Sequence, residues 1–130
     1  MKHGLPLLLL ALGGCATQAD RGPTGEQEEL ARDLAGRSAG EPQSCIPTQA
    51  TSGLTGVDSR TVVQRSGRTI WVNRLDADCP GLRPFNTLIV EAHGSQYCRG
   101  DHIRMLEPGA TIPGPICVLR DWTPYRTPGD

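Results

Sequence analysis

The densest chemistry in the chain lies in the stretch YCRGDHIRML, residues 97–106. Cys98 has the chemistry of a nucleophile, a redox thiol, a metal ligand or half of a disulfide. Arg99-Gly100-Asp101 spells an adhesion-type tripeptide, and Asp101 beside His102 would serve as an acid–base pair if both reached the floor of a cleft. Against these stands a scaffolding role. Adhesion use needs the tripeptide at an exposed loop tip, yet here it runs straight into an apolar, strand-like run. A turn at Gly100, with Asp101 bonding nearby backbone amides, accounts for the same letters. His102 alternates with Ile103 and Met105, which places it on a solvent face or rim.

The rest of the chain offers little to assist catalysis. Beyond His3, the histidines are His93 and His102. No G-x-S-x-G, H-E-x-x-H, phosphate-binding loop or dinucleotide fingerprint occurs. Asp76 and Asp78 form a D-x-D ahead of Cys79, but one loop supplies too few oxygens for a hard cation. We expect no metal and no cofactor. Asn73 and Arg74 fall at one strand end; Arg99, Asp101 and His102 fall at a loop-to-strand junction. If the two junctions meet, these five residues form one polar cluster. There an arginine would hold a carboxylate or phosphate, or Arg74 and Asp101 would form an internal ion pair. The internal pair is the reading we adopt, because ion-pair networks gather charge without function.

Five cysteines are present, at 15, 45, 79, 98 and 117. The first closes the segment MKHGLPLLLLALGGC, in which Lys2 precedes an apolar run from Leu5 to Leu12, too short to span a bilayer as a helix. Residues 1–14 read as a secretory signal, and the junction Leu12-Gly13-Gly14-Cys15 resembles the lipobox of bacterial lipoproteins. That resemblance implies lipidation of Cys15 and anchoring to the cell envelope. Ala16, where an inner-membrane retention signal would carry Asp, implies the periplasmic face of the outer membrane. Cys45, Cys79, Cys98 and Cys117 then form an even set in an oxidising compartment, with no C-x-x-C, which implies two structural disulfides. Spacing leaves all three pairings open. We favour Cys79–Cys98, across the third strand, and Cys45–Cys117, joining the ends of the domain.

These residues need a frame. Sixteen glycines and eleven prolines imply many turns and few long helices. The chain carries 13 basic and 14 acidic residues, and every basic residue except Lys2 is a scattered arginine, which argues against nucleic acid. Residues 15–44 read as the lipidated cysteine and a polar tether. Within the tether, TGEQEELARDLAG carries a capping box at Thr24 and Gln27 and a stop at Gly36. We read it as a partly helical spacer, with a helix docked over an open sheet edge as the alternative. Strands are expected at 57–64, 68–75, 86–92, 101–107 and 116–122, with a hairpin turn at Arg65-Ser66-Gly67. In the second strand, Ile70 and Val72 oppose Trp71, Asn73 and Leu75. The fold class is mainly β: a small antiparallel sheet or barrel-like roll of about five strands, stapled by disulfides, over residues 45–122. Residues 123–130 read as a frayed tail.

CIPT at Cys45, VNRLDADCPGL at 72–82, YCRGDHIRML and CVLRDW from Cys117 together resemble a family of small bacterial secreted and lipoprotein domains of unknown function. The likeness spans about 45–122. Arg120 stands where that family has Gly, and Trp122 where it has Phe. The resemblance implies a disulfide-bonded envelope domain and supplies no activity. Two classes of function follow as expectations. One is a non-enzymatic binding or structural module anchored in the envelope, with an envelope protein as partner. The other is an envelope hydrolase using His102 and Asp101, or an inhibitor of an envelope-attacking hydrolase. HGSQY at 93–97 faintly resembles the inhibitory loop of lysozyme inhibitors.

Overall fold

The computed structural model describes residues 22–48 and 53–129. The signal segment 1–14 and Cys15 lie outside the described residues. One helix and ten strands follow in order: α1 (Gly25–Leu34), β1 (Ser38–Ala39), β2 (Cys45–Pro47), β3 (Thr55–Asp58), β4 (Thr61–Ser66), β5 (Thr69–Arg74), β6 (Thr87–Glu91), β7 (Gln96–Cys98), β8 (His102–Leu106), β9 (Cys117–Val118) and β10 (Trp122–Arg126). They form an antiparallel five-stranded sheet, β1-β10-β5-β4-β3, a two-stranded ladder, β2-β7, and a three-stranded sheet, β6-β8-β9. The mainly β, disulfide-stapled class expected from the sequence is the class observed.

The large sheet is buried on both faces, which follows from the apolar residues on both sides of β5. Ile70 and Val72 join Val57, Val63 and Leu30 in one cluster; Trp71 and Leu75 join Ile46, Val62, Ile103, Leu119 and Trp122 in the other. The first cluster needs a cover, and α1 provides it. Thr24 and Gln27 form the reciprocal capping box, with Thr24 N–H donating to Gln27 Oε1 at 2.8 Å and Gln27 N–H to Thr24 Oγ1 at 3.4 Å. Gly36, at φ 75°, follows the helix end. Leu30, 6% exposed, is the helix's buried anchor, and Arg65 of β4 reaches Asp33 at 2.9 Å and Glu29 at 3.6 Å. So the helix is docked, not a spacer, and β1 pairs with β10; the tether reading does not hold for residues 24–39.

Three other expectations need correction. Residues 57–64 do not form one strand: they turn at Ser59 and Arg60 into the β3–β4 hairpin, where Asp58 Oδ1 accepts the Arg60 N–H at 2.9 Å. The frayed tail expected at 123–130 does not hold as far as Arg126, because β10 sits between β1 and β5 with Trp122 and Pro124 fully buried. The Pro124 carbonyl accepts the Gly40 N–H at 2.7 Å. In an antiparallel strand the N–H and C=O of one residue point to the same side. The missing N–H of Pro124 therefore faces away from β5, and no bond to that strand is lost.

The third correction concerns the disulfides. They join Cys45 to Cys98 and Cys79 to Cys117, not Cys79 to Cys98 and Cys45 to Cys117. The β2–β7 ladder sets Cys45 directly opposite Cys98. The Arg99 N–H donates to Ser44 O at 2.6 Å, which makes the neighbouring pair the hydrogen-bonded one. Cys45 and Cys98 therefore form the close, non-hydrogen-bonded pair, with Cα atoms 4.0 Å apart. Cys117 opposes Ile103 on β8, leaving it to the loop that carries Cys79.

Candidate functional site

The five residues expected to form a polar cluster are engaged with separate partners. Asn73, 0% exposed, clamps the backbone of Arg120: its Nδ2 donates to Arg120 O at 2.6 Å, and its Oδ1 accepts the Arg120 N–H at 2.9 Å. Arg74 donates to Thr61 Oγ1 at 3.3 Å, and Arg99 pairs with Asp121 at 3.3 Å. His102 faces Glu91 at 3.5 Å on the outer side of the three-stranded sheet. The internal Arg74–Asp101 ion pair is not formed.

Asp101 answers the question raised by the YCRGDHIRML stretch. Its carboxylate accepts the Cys98 N–H at 2.7 Å, while its own N–H donates to Cys98 O at 3.0 Å. One aspartate thus occupies both main-chain groups of Cys98 that β2 leaves open, and locks the turn at Gly100, whose φ is 94°. The Arg-Gly-Asp letters are a turn device. The histidine that reaches Asp101 is His93, with Nδ1 3.4 Å from Oδ1, and its side chain is 91% exposed. An acid–base pair of Asp101 with His102 is not formed, and His93 lines none of the grooves described below.

The D-x-D carboxylates also have partners. Asp76 pairs with Arg120 at 3.1 Å. Asp78 accepts from Arg60 Nε at 2.7 Å and Ser59 Oγ at 2.9 Å. The Arg60 hydrogen bond first, then that of Ser59 and the guanidinium charge, hold the Asp78 carboxyl below the usual carboxylate range. Among the described residues no group of three or more His, Cys, Asp and Glu is arranged to hold a metal ion.

The feature that sequence reasoning missed is apolar. Among the described residues, four large hydrophobic side chains are exposed: Phe85 (90%), Ile112 (82%), Ile116 and Val118. Ile116 and Val118 border a groove of about 280 Å³, whose other wall is the loop from Leu75 to Pro80 and which Arg120 also lines. Ile112 borders a second groove of about 260 Å³ over Gly81 and Met105, and Pro80 belongs to both. Phe85 sits at φ 73°, a strained backbone for a bulky residue. Its loop is pinned beside the second groove by Arg83–Glu107 at 3.2 Å and by Asn86 Nδ2 donating to Gly81 O at 2.8 Å. A third groove, of about 350 Å³, follows α1 on the far cluster, lined by Leu30, Leu34, Val57, Asp58 and Arg74. The available signal was apolar residues stranded among prolines and glycines, in LRPFN and ATIPGPICV, where a buried role is hard to satisfy.

Comparison with family models, with curated proteins and with solved structures found no match for the chain. Among the described residues, no helix is long and apolar enough to cross a membrane.

Proposed function

We infer that this protein is a lipid-anchored, non-enzymatic binding or structural module of the bacterial cell envelope. Cys15 is its lipidation site, the periplasmic face of the outer membrane is its location, and an envelope protein is its partner. The observation that carries the reading is the exposure of Ile116 and Val118 on one groove and of Ile112 on a second that shares Pro80 with it, with Phe85 exposed on a loop pinned beside the second. Exposed aliphatic and aromatic groups on a small stapled domain mark contact surfaces, and the charged pairs Asp76–Arg120 and Arg83–Glu107 lie beside them, as a polar rim would. The histidine and carboxylate chemistry argues in the same direction: Asp101 is consumed in holding a turn. The motif resemblance at 45–122 is consistent with a secreted or lipoprotein domain and rests on those motifs alone.

The test is capture from envelope extracts, with the wild-type protein compared with Cys15→Ser. A specific partner retained through washing, with the wild type in the membrane fraction and Cys15→Ser released from it, is the expected result. Turnover of peptidoglycan or ester substrates that is abolished by His102→Ala would overturn the reading, as would an unlipidated, soluble wild-type protein.

A further inference from the structure

We propose that the loop tips carrying Phe85 and Ile112 insert into the interface of a neutral phospholipid bilayer, a second contact that orients the anchored domain on its membrane. The proposal deepens the anchored-module reading and rests on lipidation of Cys15.

The first support is the state of the two tips. Phe85 follows Pro84 at φ 73°, a pairing whose second position glycine fills without strain. A phenylalanine held there, 90% exposed, adds nothing to the core and gains only from a contact outside the chain. Ile112, 82% exposed, stands on the neighbouring loop, and the Arg83–Glu107 pair at 3.2 Å joins the bases of the two loops. That pair neutralises the charges at the loop bases, and residues 84–90 and 108–119 carry none. Apolar tips without charge of either sign enter a lipid interface without desolvating an ion. They offer no electrostatic match to an acidic or basic protein.

The second support is where the chain enters the domain. β3 is the terminal strand of the five-stranded sheet. Pro23 borders the groove along α1 together with Val57, on the face of β3 that joins the α1 cluster. On the other face, beside Leu82, the Arg83 nitrogen lies 3.2 Å from where a Cβ on Gly56 would stand. Pro23 and the Phe85 loop therefore flank the same edge strand. Gly22 follows Cys15 by seven residues, which span at most ~25 Å even when fully extended. A lipid on Cys15 thus holds this edge near the bilayer, whereas β1 lies four strand spacings, ~19 Å, farther across the sheet. Tethering also raises the effective concentration of the tips at the surface, so an insertion too weak to recruit the free domain is still populated.

The probe is a vesicle of phosphatidylcholine brominated in its acyl chains near the headgroup, carrying the full processed and lipidated protein. Bromine quenches tryptophan that enters the interface, and Trp71 and Trp122 are buried inside the domain. Phe85→Trp and Ile112→Trp are each expected to be quenched at least ~twofold more than Glu41→Trp, an exposed position past β1 at the far edge. Adding Ile112→Asp to Phe85→Trp is expected to reduce that quenching by about half or more. Exchanging part of the lipid for equally brominated phosphatidylglycerol is expected to leave it unchanged. Thermal unfolding with the disulfides intact confirms that the variants are folded; if one tryptophan variant fails to fold, the other carries the test. Wild type that floats with the vesicles, with tips quenched no more than Glu41→Trp, would overturn the proposal and leave the anchor reading standing. So would quenching that requires the anionic lipid, or an envelope protein whose capture Phe85→Ser abolishes while the vesicles leave both tips unquenched. Wild type that does not float would overturn both readings.

Discussion

Asn73 fastens the last strand to the rest of the domain, and its removal has a calculable cost. In Asn73→Ala, the N–H and C=O of Arg120 both lose their side-chain partner, at present 2.9 and 2.6 Å away. A buried main-chain group left unpaired costs about 1–3 kcal/mol. Arg120 lies near enough to the surface for water to recover part of this, which puts the two groups together at about 3 kcal/mol. The void left by the amide adds to it, since Asn73 is fully buried beside Trp122, its cross-strand partner. A domain of this size loses roughly 4–8 °C of Tm per kcal/mol, so the expected fall is about 12–24 °C. Asn73→Asp keeps the acceptor for the Arg120 N–H but sets a carboxylate oxygen against the Arg120 carbonyl; it is expected to cost at least as much. Urea unfolding with intact disulfides, followed by tryptophan fluorescence, measures both variants. A loss below about 1 kcal/mol for Asn73→Ala would refute the assignment of Asn73 as the clamp of this segment.

Other perturbations give separate checks. Leu30→Ala removes the buried anchor of α1 and is expected to cost about 2–3 kcal/mol by urea unfolding, with faster amide exchange across Gly25–Leu34. Gly56→Ala would set its Cβ 2.6 Å from Leu82 Cδ1 and 3.2 Å from the Arg83 nitrogen, so it is expected to destabilise by about 1–3 kcal/mol in the same assay. Asp58 is subject to burial, which raises its pKa. The Arg60 N–H, the Gln27 and Thr61 hydrogen bonds and the Arg74 charge outweigh that and leave it lowered. Its contribution is therefore full above the unfolded carboxylate value of about 3.9 and is lost as pH falls through the lower, folded value. Asp58→Asn is expected to flatten the acid limb of the stability–pH curve below about pH 4, measured by thermal unfolding at stepped pH; an unchanged limb would contradict the assignment.

Much of the frame could be read from residue order, and the failures have specific causes. Alternation along 70–75 located a strand and sorted Ile70 and Val72 from Trp71, Asn73 and Leu75, and the Thr24–Gln27 capping box located the helix start to the residue. Docking of that helix stood only as the alternative reading, because Leu30 and Leu34 with Ala31 and Ala35 make a thin apolar stripe; its value depends on Val57, Val63, Ile70 and Val72 assembling beneath it. The break at Ser59-Arg60 carries no glycine or proline, and its turn signal, Asp58-Ser59, was absorbed into the run of Val and Thr around it. Conversely, the two prolines of 123–130 suppressed a strand that tolerates Pro124 because its nitrogen faces away from β5. Pairing of the cysteines depends on register, and register is set by long-range contacts that spacing does not encode. The candidate site was legible least of all. Polar letters drew attention to Asn73, Arg74, Arg99, Asp101 and His102, yet these serve as local clamps and ion pairs. The exposed apolar residues differ from core residues in sequence by their setting among prolines and glycines, a signal the strand pattern overshadowed.

Closure of the domain depends on the sulfurs of β2, β7, β9 and the loop at Cys79 being joined in two bridges. Proteolysis of protein purified without reductant, with free thiols blocked beforehand, followed by mass spectrometry of the linked fragments, tests this directly. The expected result is two crosslinked peptides, Cys45 with Cys98 and Cys79 with Cys117, and no alkylated thiol at these four positions. Alkylated cysteine at any of them, bound zinc in stoichiometric amount, or a Cys79–Cys98 or Cys45–Cys117 fragment would contradict it.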